Sequence, residues 1–129
     1  MRPLRFALLW VFAGAGLFVL VVYLCLRAPG AKESWFLGFD KFAHASAFFA
    51  LGVWSLALVE RRAYLRVITV MLAIGLGIEI AQALMALGRR AEWGDLAADA
   101  LGVTIALAVS LLRVESWFEW VEERIRRVP

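Results

Sequence analysis

In this chain of 129 residues, 64% are hydrophobic and the mean hydropathy is +0.80, which is more apolar surface than a soluble domain of this size can enclose in one core. A net charge of +3 with a pI near 9.6 does not point to nucleic acid, because the basic residues fall in short clusters between apolar runs and form no stripe. The one cysteine, Cys25, lies inside an apolar run and supports neither an internal disulfide nor a thiolate metal cluster.

Phe6 to Leu26 is uncharged, and at about 1.5 Å per residue it covers a hydrocarbon core of about 30 Å. It reads as a first transmembrane helix (about 6–26). A cleaved signal peptide is the weaker reading, since the apolar stretch outruns a signal core and small residues are missing just before Cys25. A second run, 42–59, holds His44 and ends at Glu60, Arg61 and Arg62. A third, 67–87, contains Glu79 and Gln82, and a fourth, 96–112, contains Asp99. Period-two alternation is absent, and Gly14, Gly16, Gly75, Gly77 and Gly102 suit close helix packing. The expected fold is an all-α integral membrane protein, a four-transmembrane-helix bundle over residues 1–112, followed by an amphipathic interfacial helix over 113–129.

Four spans put nine basic residues on one side (Arg2, Arg5, Arg61, Arg62, Arg66, Arg113, Arg124, Arg126, Arg127) and five on the other (Arg27, Lys32, Lys41, Arg89, Arg90). The richer side is expected to be cytoplasmic, with both termini. In the tail, Val114, Trp117, Phe118, Val121, Ile125 and Val128 share a helical stripe opposite Glu115, Glu119, Glu122, Glu123 and Arg126. Trp117 and Trp120 suit the headgroup level, and the pairs Glu122 with Arg126 and Glu123 with Arg127 have the favourable i,i+4 order. Trp35 and Trp93 read as interfacial anchors.

An ionisable group near the bilayer centre costs roughly 2.5 to 3.5 kcal/mol even on the mildest scale, so polar residues inside spans attract attention. Asp40 with His44, Glu79 with Gln82, and Asp95 with Asp99 each lie three or four residues apart, on one helix face. All three pairs fall toward the outer leaflet and can converge on one outward pocket. Lys41, Arg89 and Arg90 stand at its mouth, where basic groups hold phospholipid phosphates. Asp40 and Asp95 also suit helix N-caps, and His44 also suits a hydrogen bond between helices. No HExxH, phosphate loop or nucleophile elbow is present.

The segment Asp40-Lys41-Phe-Ala-His44, then Glu79-Ile-Ala-Gln82, Arg90 and Asp95-Leu-Ala-Ala-Asp99-Ala-Leu-Gly102, resembles the VanZ-like family of bacterial membrane proteins over the second to fourth spans. The family pattern has Asn where this chain has Asp99, which adds a charge. The resemblance implies a multi-pass plasma-membrane protein of the bacterial envelope, in a family whose founding member is associated with teicoplanin resistance.

Two function classes follow. In the first, the outward pocket binds an envelope lipid, a lipid-linked precursor or a glycopeptide antibiotic with a lipid tail, through Asp40, Lys41, His44, Glu79, Gln82, Arg89, Arg90, Asp95 and Asp99. In the second, the protein is a small intramembrane transferase or hydrolase acting on a lipid phosphate, with Glu79 or His44 as general base and Asp95 or Asp99 holding a divalent cation. The residues name no particular cofactor or metal, nor an oligomeric state.

Overall fold

The computed structural model describes residues 4–26, 39–85, 92–112 and 117–127. Among these the regular structure is helical: α1 (Ala7–Leu26), α2 (Phe39–Ala57), a 3-10 turn (Arg61–Ala63), α3 (Tyr64–Met85), α4 (Trp93–Leu112) and α5 (Trp117–Arg126). Three stretches, Ala7–Leu26, Arg61–Met85 and Trp93–Leu112, are long and apolar enough to cross a membrane. They turn large apolar side chains outward, among them Leu8, Phe12, Val19, Leu65, Val70, Leu84 and Leu112. Water would not tolerate so continuous an apolar exterior; lipid does. The outward hydroxyls agree with this. Thr69 donates to the Leu65 carbonyl at 3.0 Å and Thr104 to the Ala100 carbonyl at 2.7 Å, so each is satisfied inside its own helix.

α2 is different. Asp40, Lys41, His44, Ser46 and Ser55 lower its hydropathy, and it packs against α1, α3 and above all α4. Phe48, Leu51 and Leu56 on it are buried. Of its polar side chains His44 is buried against the neighbouring helices, whereas Asp40, Lys41 and Ser46 are exposed.

Its closest partner is α4, and the reason is small residues. A Cβ on Gly102 would collide with the Ala45 carbonyl and come within 2.9 Å of the Phe49 nitrogen. A Cβ on Gly52 would sit 2.7 Å from that of Ala106. Gly102 and Ala106, one turn apart, thus form the ledge on which α2 rests. Gly52 with Ala106 and His44 with Asp99 align the two helices in parallel. Trp10 with Trp54 makes α1 antiparallel to α2, and Gly75 with Asp99 makes α3 antiparallel to α4.

Three helices begin before the apolar runs that announced them, and α2 ends at Ala57, short of the expected 59. α2 begins at Phe39 rather than 42 and α4 at Trp93 rather than 96, so Asp40 and Asp95 lie in first turns and are not N-caps. Carboxylates are favourable there as well, facing the positive end of the helix dipole. The end of the third expected span, 86–87, lies outside the described residues.

At the end where α1 begins, α5 folds back on the start of α1. Phe118 is fully buried among Trp10, Trp54 and Trp117, with ring centroids 4.1 to 5.0 Å from its own. Trp117 therefore belongs to an aromatic core, while Trp120 remains 58% exposed. The carboxylate of Glu122 accepts from the backbone N–H of Arg5 (2.8 Å), that of Phe6 (2.9 Å) and Nε1 of Trp10 (2.8 Å). It thereby satisfies orphan donors at the start of α1. The expected pairing of Glu122 with Arg126 is replaced: Arg126 and Arg127 both go to Glu123, at 2.6 and 3.2 Å. Partial burial pushes the Glu122 carboxyl up, but the three N–H donors outweigh it and hold it below the usual glutamate range. At the same end Arg61 donates to the Leu111 carbonyl at 3.0 Å, placing a cation on the last turn of α4.

Candidate functional site

The polar residues gather at the opposite end. Nδ1 of His44 on α2 and Oδ1 of Asp99 on α4 are 2.9 Å apart, and the side chains are 2% and 0% exposed. α3 covers the pair, and it can do so only because residue 75 is glycine: a Cβ there would stand 2.8 Å from Asp99 Oδ2. Nε2 of His44 and Oδ2 of Asp99 are both buried with no protein partner.

Nearer the surface, the Lys41 ammonium donates to Glu92 at 2.7 Å and to Asp95 at 3.3 Å. Lys41 and Glu92 are about half exposed, whereas Asp95 is 4% exposed. The stem of Lys41 crosses Gly94, which has no side chain to obstruct it. Asp40 is exposed, and its carboxylate, a ring nitrogen of His44 and the carboxylate of Asp95 lie within 4.8 Å of one another.

Glu79 and Gln82, one turn apart on α3, each meet a helix end. Glu79 Oε2 accepts the backbone N–H of Glu92 at 3.0 Å, just before α4, where unsatisfied N–H groups and the helix dipole favour an anion. Gln82 Nε2 donates to the carbonyl of Cys25 at 2.8 Å, in the last turn of α1. Each side chain also has an oxygen that is buried and unpartnered, Oε1 in both cases. Such orphans are costly in a dry interior and mark places where a proton, water, ion or ligand group completes the network.

Beside this network, α3 and α4 enclose a groove of about 310 Å³, walled by Leu76, Ile80, Ala83, Leu84, Trp93 and Leu96, with Glu79 and Glu92 supplying its polar groups. Ile80, Leu84 and Trp93 are 52, 79 and 85% exposed, so the groove opens sideways, toward what surrounds the bundle.

The three pairs expected from spacing are thus brought to one end, and His44 and Asp99 join directly. Arg89 and Arg90 lie outside the described residues. Two participants were not anticipated: Glu92, and the backbone carbonyl of Cys25. Glu92 carried a usable signal, an acid immediately ahead of Trp93 and an apolar helix, where a carboxylate faces the helix N-terminus. The Cys25 carbonyl carried none, since backbone atoms leave no trace in residue types. Among the described residues of this end, Asp40, Glu79, Glu92, Asp95 and Asp99 face Lys41 and His44, an acidic excess. Compared with known protein families, curated proteins and solved structures, the chain matches none.

Proposed function

We propose that the chain is a four-span, VanZ-like protein of the bacterial plasma membrane, with both termini cytoplasmic. Its polar end faces outward and takes up an envelope lipid, a lipid-linked wall precursor or a lipid-tailed antibiotic. The observation that carries this reading is the α3–α4 groove: apolar walls open to the side, next to a buried polar network with unpaired atoms. An acyl or isoprenoid tail fits such walls, and a headgroup then lies against Glu79, Glu92 and their neighbours. In this reading α2, 19 residues and about 28 Å long, is the fourth span, with its His44 turned to protein. The nine basic residues of the opposite side support the orientation.

The ammonium of Lys41 is shared between Glu92 and Asp95. A phosphate headgroup therefore needs Arg89, Arg90 or a bound cation in addition to Lys41. The second reading, an intramembrane transferase or hydrolase, draws on the His44–Asp99 pair, the arrangement in which a carboxylate orients an imidazole for proton transfer.

A native mass spectrum of the gently extracted protein tests the leading reading. The expected result is a specific lipid retained by the wild type and released by Ala83→Trp, whose indole fills the groove; wild-type protein free of lipid under the same conditions contradicts it.

A further inference from the structure

We propose that Asp40, His44 and Asp95 form a binding site for one divalent transition-metal cation, with Asp99 fixing the imidazole of His44 from behind. The donor atoms are already assembled: one oxygen from each carboxylate and one ring nitrogen lie within 4.8 Å of one another, close enough to converge on one ion at metal–ligand distances of about 2.0 to 2.2 Å. Nδ1 of His44 is committed to Asp99 at 2.9 Å, and Nε2 is buried without a protein partner. The nitrogen free to bind an ion is therefore Nε2. An imidazole that binds metal through one nitrogen usually gives its other N–H to a carboxylate, which sets the tautomer and raises ligand basicity. Asp99 occupies that position.

The geometry of the chain favours the arrangement. Asp40 and His44 are one turn apart on α2, and Asp95 lies in the first turn of the parallel helix α4, so one helix pair carries all three ligands. Asp40 is exposed while His44 and Asp95 are buried, which gives the ion an entry from water and a closed inner wall. Lys41 donates to Asp95 at 3.3 Å but to Glu92 at 2.7 Å, and it can remain on Glu92 when a cation takes Asp95. One imidazole with two carboxylates suits zinc or manganese better than magnesium, which seeks oxygen alone. Three protein ligands leave coordination positions open, as in catalytic rather than structural zinc sites. The site stands independently of the lipid reading, since it needs only residues within the fold.

The test uses full-length protein in detergent, carrying no polyhistidine tag. Because the chain has a single histidine, any imidazole signal belongs to His44. Titration calorimetry with Zn²⁺ alone is expected to give one saturable site. Asp40→Asn combined with Asp95→Asn abolishes it, Asp99→Asn weakens it about 10- to 100-fold, and Glu123→Gln at the far end leaves it unchanged. Pulsed electron paramagnetic resonance of Cu²⁺-loaded wild type shows modulation from the remote imidazole nitrogen, a readout that needs no variant to fold. Absence of a saturable site, a site that survives the double substitution, or a Cu²⁺ spectrum without imidazole nitrogen overturns the proposal. Lipid retention in the mass spectrum is read separately, so either result can fail alone.

Discussion

His44 and Asp99 meet at 2.9 Å between two parallel helices that have no access to water at that point. Separating Nδ1 from Oδ1 would add to the unpaired atoms already buried there, each costing about 1–3 kcal/mol. The pair is therefore a lock between α2 and α4 as well as a chemical centre. Asp99→Asn preserves an oxygen that accepts from Nδ1 and is expected to lower stability by about 1 kcal/mol, the difference between charged and neutral acceptors. Asp99→Ala removes the acceptor and opens a void, and is expected to cost about 3 kcal/mol. Thermal unfolding in detergent checks the ranking; equal losses for the two variants would contradict the lock.

The α2–α4 crossing gives a sharper steric prediction. Gly102→Ala places a methyl group against the Ala45 carbonyl and the Phe49 nitrogen, and backbone cannot give way as a side chain can. A loss of about 1–3 kcal/mol is expected, as for other overpacked sites. Gly77→Ala meets nothing within 4 Å and is expected to be neutral or stabilising by up to about 1 kcal/mol, the helix propensity gain. The comparison is made by unfolding both variants in the same detergent. A destabilised Gly77→Ala beside an unaffected Gly102→Ala would refute the packing.

How far these features could be read beforehand depends on what carried them. Apolar runs of about twenty residues marked α1, α3 and α4 because crossing a bilayer demands length and little else. The polar pairs were legible because helical spacing of three or four residues puts side chains on one face. Which member would meet which was not legible: His44 pairs with Asp99 across helices and not with Asp40 on its own, a matter of helix rotation set by Gly102 and Gly75. Glu79 and Gln82 stood out as buried polar residues, but their bonds to backbone atoms of Glu92 and Cys25 could not be foreseen. The docking of α5 was half legible. Its apolar stripe was visible, while the use of Glu122 as a cap for α1 was hidden, because i,i+4 spacing to Arg126 offered an equally good partner within the helix.

Glu122 leads to a pH prediction. Its carboxyl is held below the usual glutamate range in the folded protein, so its contribution to stability is present above the unfolded value of about 4.3 and is lost as pH falls through the lowered folded value. The contact is partly exposed, and screening keeps it near 1 kcal/mol. Hydrogen exchange of the α5 amides and of the first turn of α1 is expected to accelerate as pH is lowered through this window, after correction for the intrinsic rate. Glu122→Gln is expected to show faster exchange at pH 7 and little further change on acidification. Retention of the full pH response by Glu122→Gln would assign it to another group.

The two function classes separate at Glu79. If the site binds without chemistry, Glu79→Gln keeps an oxygen to accept the Glu92 N–H and retains fold and most lipid-dependent phenotype, with affinity reduced by about tenfold or less. If Glu79 is a general base, the same change abolishes turnover of a lipid-phosphate substrate by two or more orders of magnitude while leaving substrate binding in place. Parallel binding and turnover assays on reconstituted protein decide between them.

Entry of a lipid into the α3–α4 groove is the central claim, and photolabelling addresses it most directly. The protein is reconstituted in vesicles containing a phospholipid with a photoactivatable acyl chain, and labelled peptides are mapped for wild type and Ala83→Trp, in which an indole fills the groove. The account predicts label concentrated around Leu84, Trp93 and Leu96 in the wild type and lost from there in the variant. Label spread evenly over exposed residues such as Leu8, Phe12 and Leu65, and unchanged by Ala83→Trp, would contradict it.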